Sequence, residues 1–181
     1  MNPFDLPDLV GDFFNIDTDV ALAGDLVDIE YRINNADVVP SGGYRVDFYL
    51  SSDNTITTGD RFLSSQNLPS LNGGATTATL MKSLQLPAAT DSFWQGGGTF
   101  HIGMIIDRFD LTLESDESNN SNVGQLVDRD NLVVNIPDTQ ADLQGINFNV
   151  LQEPLVSGDS FDLKFSIRNE ATFNAGAFNV S

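Results

Sequence analysis

The chain has 181 residues, 40% of them hydrophobic, with 26 acids against 8 bases and a formal net charge of −18. That field repels phosphate backbones and anionic lipid, which argues against nucleic acid and membrane as partners, and the apolar runs are only a few residues long, too short to span a bilayer. With no cysteine and a single histidine, His101, the chain has no disulfide, thiol nucleophile, zinc ribbon or iron–sulfur site, and it cannot build most histidine-based metal sites or triads by itself.

In chain order, residues 1–7 read as an N-terminal tail, and Met1-Asn2-Pro3 lacks the basic stretch and apolar run of a signal peptide. A first strand is expected near 9–16. Val27, Ile29, Tyr31 and Ile33 alternate with Asp28, Glu30, Arg32 and Asn34, the period of two that marks a half-buried strand. Tyr44, Val46, Phe48 and Leu50 repeat that alternation. A short strand near 61–64 and a less tidy one over 77–86, ending before Pro87, follow. Phe100, Ile102, Met104 and Ile106 form a strongly apolar strand, and Leu132, Val134 and Ile136 a last one. No stretch sustains a helical period. About seven short strands separated by turn clusters predict an all-β, antiparallel, immunoglobulin-like sandwich over 8–137.

The sequence then begins again. Residues 8–47 and 142–181 align without a gap at an offset of 134, with twelve of forty positions identical. Asp8-Leu9-x-Gly11-x-x-Phe14-Asn15 returns as Asp142-Leu143-x-Gly145-x-x-Phe148-Asn149, and Gly24-Asp25-x-x-Asp28 as Gly158-Asp159-x-x-Asp162. Ile33, Asn35, Gly42 and Val46 return as Ile167, Asn169, Gly176 and Val180. The expected organisation is a complete unit over 8–137, a polar linker over 138–141 just after Pro137, and the first strands of a second repeat over 142–181. Phe161, Leu163, Phe165 and Ile167, helped by Phe148, Val150 and Phe178, make an apolar face that two or three strands cannot bury alone. Residues 142–181 are therefore expected to be disordered, or to pack against the first unit, a neighbouring repeat or another chain through an open sheet edge.

At this point a resemblance becomes specific. Asp8-Leu9-Val10, Gly24-Asp25, Asn34-Asn35 and Phe48-Tyr49-Leu50-Ser51-Ser52-Asp53 occur in this order, followed by Ile102-Gly103-Met104-Ile105-Ile106-Asp107 and Glu114-Ser115-Asp116-Glu117-Ser118-Asn119-Asn120. This series resembles the bacterial cell-adhesion-related domain usually called CARDB, over the whole first unit and the start of the second. The long segment from Asn122 to Asn131 departs from that pattern. The resemblance implies an immunoglobulin-like, extracellular domain, often repeated in tandem in large surface or secreted bacterial proteins, with a binding or spacer role rather than catalysis.

Asp outnumbers Glu 21 to 5, and 17 Asn join them. Asp and Asn favour turns and caps, and they also supply oxygen ligands for hard cations. Asp107, Asp110, Glu114, Asp116, Glu117, Asn119 and Asn120 crowd one connection after the strongest strand, with only Arg108 among them. This is the first candidate calcium loop, and a hydrogen-bonded turn is the competing reading. Asp53, Asn54 and Asp60 form a second and weaker candidate, at the opposite pole if the strands follow immunoglobulin order. Trp94, next to Gly96-Gly97-Gly98, either stacks on a sugar or caps the core. His101 reads as structural, and no nucleophile motif accompanies it.

The function that the CARDB resemblance implies, taken with the candidate calcium loops, is a non-catalytic adhesion or spacer domain, secreted or on the cell surface, stiffened by calcium and meeting a protein or surface glycan. The alternatives are a carbohydrate-binding accessory domain of a secreted hydrolase, and a structural unit of an extracellular filament joined by strand exchange.

Overall fold

The structure, a computed structural model, describes residues 5–151, 154 and 156–180, so residues 1–4 of the expected tail lie outside the described residues. Two compact units divide the chain, Met1–Ile136 and Pro137–Ser181.

In the first unit the alternation of side chains decides which face each strand buries. The strands are β1 (Leu9–Ile16), β2 (Val20–Leu22), β3 (Leu26–Asn35), β4 (Tyr44–Ser51), β5 (Arg61–Leu68), β6 (Leu80–Gln85), β7 (Gly98–Ile106) and β8 (Arg129–Asn135). Along β3, Val27, Ile29, Tyr31, Ile33 and Asn35 are buried and the residues between them are not. One sheet has the order β1-β3-β6 and the other β2-β8-β7-β4-β5. Leu9, Phe14, Tyr31 and Ile33 from the first sheet share one core with Phe48, Ile102, Met104 and Leu132 from the second. The rings of Tyr31 and Phe48 meet edge to face across the layers with centroids 5.1 Å apart, the geometry that aromatic quadrupoles favour.

The all-β expectation holds: no helix occurs among the described residues. Three details differ. Among the described residues the first unit has eight strands, because the three-residue β2 runs parallel to β8 with Val20 opposite Val133, and three residues are too few to show a period. The strand expected at 61–64 continues to Leu68 because it follows β4 along its whole length. The strand expected at 77–86 shortens to Leu80–Gln85, leaving Thr76 as an isolated bridge to Asn34.

The second unit contains β9 (Leu143–Val150) and β10 (Leu163–Asn169), an antiparallel pair. Its register is that of β1 and β3 displaced by 134 residues: Leu9 faces Asn35, and Leu143 faces Asn169. Both pairs carry a bulge after the glycine, which leaves Asp12 and Ile146 without a partner in the ladder. Gly24 and Gly158 take φ values of 92° and 97° in the turn between the paired strands, a conformation that costs glycine little. In that turn Asp25 accepts a hydrogen bond from Leu22 N, and Asp159 accepts one from Val156 N. The residues that recur in the sequence are therefore those that shape this hairpin.

Asn35 is the most heavily used of them. Fully buried, it accepts from the Asp8 and Asp37 amides and donates to the Val39 and Leu71 carbonyls. Asn169 accepts from Asp142 N and Ala171 N and donates to Phe173 O in the same way. Replacing Asn35 by Ala strands buried backbone groups at one end of the sandwich. Urea unfolding of Asn35→Ala is expected to show a loss of about 3 kcal/mol, and a loss below about 1 kcal/mol would mean that water replaces the amide.

Candidate functional site

The connection from β7 to β8 begins where Asp107 leaves the sheet. Asp107 and Asp110 adopt φ values of 43° and 49°, a left-handed conformation that Asp tolerates better than most residues. Asp107 N donates to Arg45 O, and its carboxylate accepts from Thr112 N. Glu117 Oε1 accepts from Glu114 N at 2.9 Å, and Asp116 accepts from both the amide and the hydroxyl of Ser118. Three further bonds tie the segment to the start of β1 and the end of β7. Ser115 N donates to Pro7 O, Asn119 Nδ2 donates to Asp8 Oδ1, and Asn120 O accepts from Ile106 N. The loop laces the edge of one sheet to the centre of the other.

The seven residues do not gather around one point. Among the described residues no three His, Cys, Asp or Glu side chains form a group able to hold a metal ion. Asp110, Asp116 and Glu117 are exposed, whereas Asp107, Glu114 and Asn120 are buried. A smaller oxygen set stands out within 114–120. Glu114, 4% exposed, accepts from Leu9 N through Oε2 at 3.3 Å. Its Oε1, with Asn119 Oδ1 and Asn120 Oδ1, is buried without a hydrogen-bond donor. Burial pushes the Glu114 carboxyl from its ordinary 4.5 up to about 7. The Leu9 amide opposes that rise, the charges of Glu117 and Asp107 add to it, and the Asn120 side chain opposes it.

The second candidate is a pair of local turns. Asp53 accepts from Thr55 N, and Asp60 accepts from the amide and hydroxyl of Thr57; the only side-chain bond of Asn54 is to the hydroxyl of Thr55. The register of β4 and β7 places Ser51 beside His101 and Val46 beside Ile106, so this loop and the 107–120 loop leave opposite ends of adjacent strands. The 52–60 loop folds back onto the outer face of its sheet. There Ile56 packs with Tyr49 and Ile105, and its amide and carbonyl are both bonded by the Asn122 side chain.

For Trp94 the structure favours the core-capping alternative over sugar stacking. It is 9% exposed, its indole N–H donates to Pro87 O and Ala88 O, and Phe93 and Phe100 meet it edge to face. The indole closes the end of the core and offers no free face. His101 is half-buried, with its pKa lowered first by burial and then by the Arg129 charge, and no Ser or Cys nucleophile is bonded to it.

Sequence reasoning missed a cluster on the outer face of β4. Asp47 is fully buried there; Arg45 Nε lies 2.5 Å from its Oδ1, and Arg108 lies 3.9 Å from its Oδ2. Arg108 also donates to Tyr49 Oη, and Phe109, half exposed, lies under both guanidinium groups. Arg45 and Asp47 share a face by alternation, which was visible in the sequence. Nothing local in the sequence connects Arg108 to them.

No family model matches this sequence, and no curated protein matches it. In fold the chain is similar to CARDB domains. The crystal structure of the CARDB domain of the PF1109 protein from Pyrococcus furiosus, in complex with di-metal ions, aligns with a TM-score of 0.50 at 18% identity, covering 75% of this chain and 99% of that one. The solution NMR structure of the same domain aligns with a TM-score of 0.49 at 18% identity, covering 74% and 99%. A β-glucosidase from Listeria innocua, in complex with isofagomine, aligns with a TM-score of 0.41 at 15% identity, and only over 16% of its own chain.

Two outcomes follow for this site. In the presence of EDTA, the native protein holds a proton on Glu114 that the unfolded chain releases, so stability falls as pH rises from about 4.5 to 7. A shift of that size corresponds to roughly 3 kcal/mol, and Glu114→Gln is expected to flatten this part of the profile and to raise the melting temperature at pH 8. An unchanged profile in Glu114→Gln would show that Glu114 does not carry this proton. Titration with mono- and oligosaccharides is expected to leave the Trp94 emission unchanged, and a saturable quench would restore the sugar reading.

Proposed function

We propose that this chain is a non-catalytic adhesion or spacer module of a secreted or surface protein, whose 107–120 loop is tightened by a divalent cation. The observation that carries the cation is the unpartnered oxygen of buried Glu114, accompanied by those of Asn119 and Asn120. A carboxylate and two amide oxygens are hard donors of the kind that calcium takes, and calcium accepts irregular geometry and fills its remaining positions with water or backbone oxygen. Glu114, Asn119 and Asn120 would hold the ion, with Glu117 and Asp107 near enough to act on the Glu114 charge. The outer members of the expected set, Asp110 and Asp116, have no part in this version. Support also comes from the CARDB domain of PF1109, whose crystal structure is a complex with di-metal ions.

The mechanical consequence follows from what the loop ties together. It joins Pro7, Asp8 and Leu9 at the start of β1 to Ile106 at the end of β7. A cation there would neutralise the carboxylate that burial penalises, and would lock the two sheets at one end. A domain loaded along its length gains resistance where its first strand could otherwise peel away.

A thermal melt in EDTA, then in millimolar calcium, with magnesium as control, tests the proposal. A hundredfold excess of cation over its dissociation constant stabilises the folded state by about 2.7 kcal/mol, which reads as a rise of several degrees. The rise is expected with calcium and is expected to vanish in Glu114→Gln. No rise in the native sequence, or the same rise in Glu114→Gln, would overturn the cation.

A further inference from the structure

Four strands border the two sheets of the first unit, and three of them are guarded against pairing with another chain. β2 is three residues long. β1 carries the bulge after Gly11, and its backbone is already bonded beyond its ladder, Leu9 N to Glu114, Phe14 N to Leu126 O and Ile16 N to Asp130. β6 is six residues with Lys82 among them. Short edges, bulges and lysines are the usual defences of a free edge. β5 lacks most of them. It is eight residues long, and from Phe62 to Leu68 it holds no charge, Pro or Gly. Its bulge, at Leu63, leaves residues 64–68 in unbroken register with 44–48. Among the described residues no backbone hydrogen bond from outside its own ladder reaches 62–68.

At the Leu68 end of this edge lies an open groove of about 480 Å³, with Arg45, Asn67, Leu68, Phe109 and Leu111 in its walls. Phe109 is 52% exposed and Leu111 82%. Arg45 bonds buried Asp47 through Nε, and its guanidinium lies 5.6 Å from the centroid of the Phe109 ring. Its two terminal nitrogens have no bond among the described residues, so a planar fork of donors is held in place and left unused. Asp107, the acid in the groove wall, is buried and turned to its own loop, where it accepts from Thr112 N.

We propose that β5 and this groove form a docking site for an extended peptide of a partner protein, which adds as a strand along residues 64–68. The peptide sets a carboxylate against Arg45 and an apolar neighbour against Phe109 and Leu111. Charge complementarity with the free fork of Arg45 selects this occupant, and the spacing permits it. A strand added to β5 lies roughly 9–10 Å from β4. Ser65 and Asn67 stand opposite Asp47 and Arg45 on the same face; both are short and uncharged, so an arginine from one side and a carboxylate from the other can meet over Asn67. Main-chain bonds to the edge supply affinity and the groove supplies choice, and an arginine stacked on an aromatic ring is the composition of a binding hot spot. The inference rests on the binding side of the proposed function and names its partner. Glu114, Asn119 and Asn120 take no part in it, so its failure is distinguishable from failure of the cation.

The whole chain is screened against a displayed library of random nine-residue linear peptides, a probe that presupposes no partner. Enriched peptides are expected to share a carboxylate beside an apolar residue and to shift the backbone amides of residues 64–68 in NMR spectra. Proline in the middle of a selected peptide is expected to abolish binding, since the new ladder loses a donor. Exchange of the peptide's carboxylate for an amide is expected to weaken binding about tenfold, and to make no difference against Arg45→Gln. Because Arg45→Gln leaves Asp47 unpaired and can unfold the domain, Leu111→Ser provides a second variant at an exposed position. It is expected to weaken binding about tenfold with the melt read by Trp94 fluorescence unchanged. No enrichment, binding indifferent to the carboxylate, or shifts confined to other strands would overturn the proposal. A monomer–dimer equilibrium that competes with the peptide would give the edge to a second copy and overturn it as well.

Discussion

Every backbone amide and carbonyl at the open end of a sandwich has to find a partner away from the ladders, and in this protein Asn35 meets most of that demand. Its fully buried amide joins the start of β1, the segment that leaves β3 and the approach to β6. Gly74 N in turn donates to Asn35 O and Asp37 O, and Asn35 N donates to Ala75 O. The register of β1 on β3 is thereby set at one end by a side chain and at the other by the bonds of the ladder. With that register in place, Phe14 and Tyr31 face the second sheet and the core can close. Asn169 makes the corresponding bonds in the second unit, which shows that the device belongs to the hairpin and does not depend on a completed sandwich.

The acid-rich composition has a structural origin in the same demand. Asp25, Asp53, Asp60, Asp91, Asp116, Asp128 and Asp159 each accept from a backbone amide close to them in sequence. Asp is short enough to reach such an amide and charged enough to make the bond strong, whereas Glu is too long for most of these turns. A chain built of short strands needs many turns, and each turn finished in this way adds a negative charge. Glu114 is the exception. It lies under the loop, spans to β1, and leaves one carboxylate oxygen with nothing to receive. That imbalance, and not the abundance of acids, marks the loop as a candidate cation site.

The two units also separate local from non-local determinants of burial. The β1–β3 and β9–β10 pairs have the same register, the same bulge position and matching turn bonds, so equivalent residues shape both hairpins. Phe14 is fully buried beneath the second sheet of its unit, and its equivalent Phe148 is 73% exposed.

Alternation in Leu26–Asn35, Tyr44–Ser51 and Gly98–Ile106 made the all-β class legible in the sequence, because a period of two is a local property and survives in one dimension. The recurrence at an offset of 134 was legible for the same reason, since Gly11 sits at the bulge, Gly24 and Asp25 in the turn, and Asn35 at the end of the pair. The three-residue β2 was not legible, because its pairing with β8 joins segments more than a hundred residues apart. Nor was the difference between Glu114 and its neighbours, since all seven oxygen-bearing residues look alike until burial separates them. Trp94 and the Asp47 cluster have the same lesson. The sequence by itself determined the strands, their inward faces and the turns between them, all set by contacts between near neighbours. Only the tertiary structure decided which polar groups lost their water, and with it which buried oxygens lack a donor.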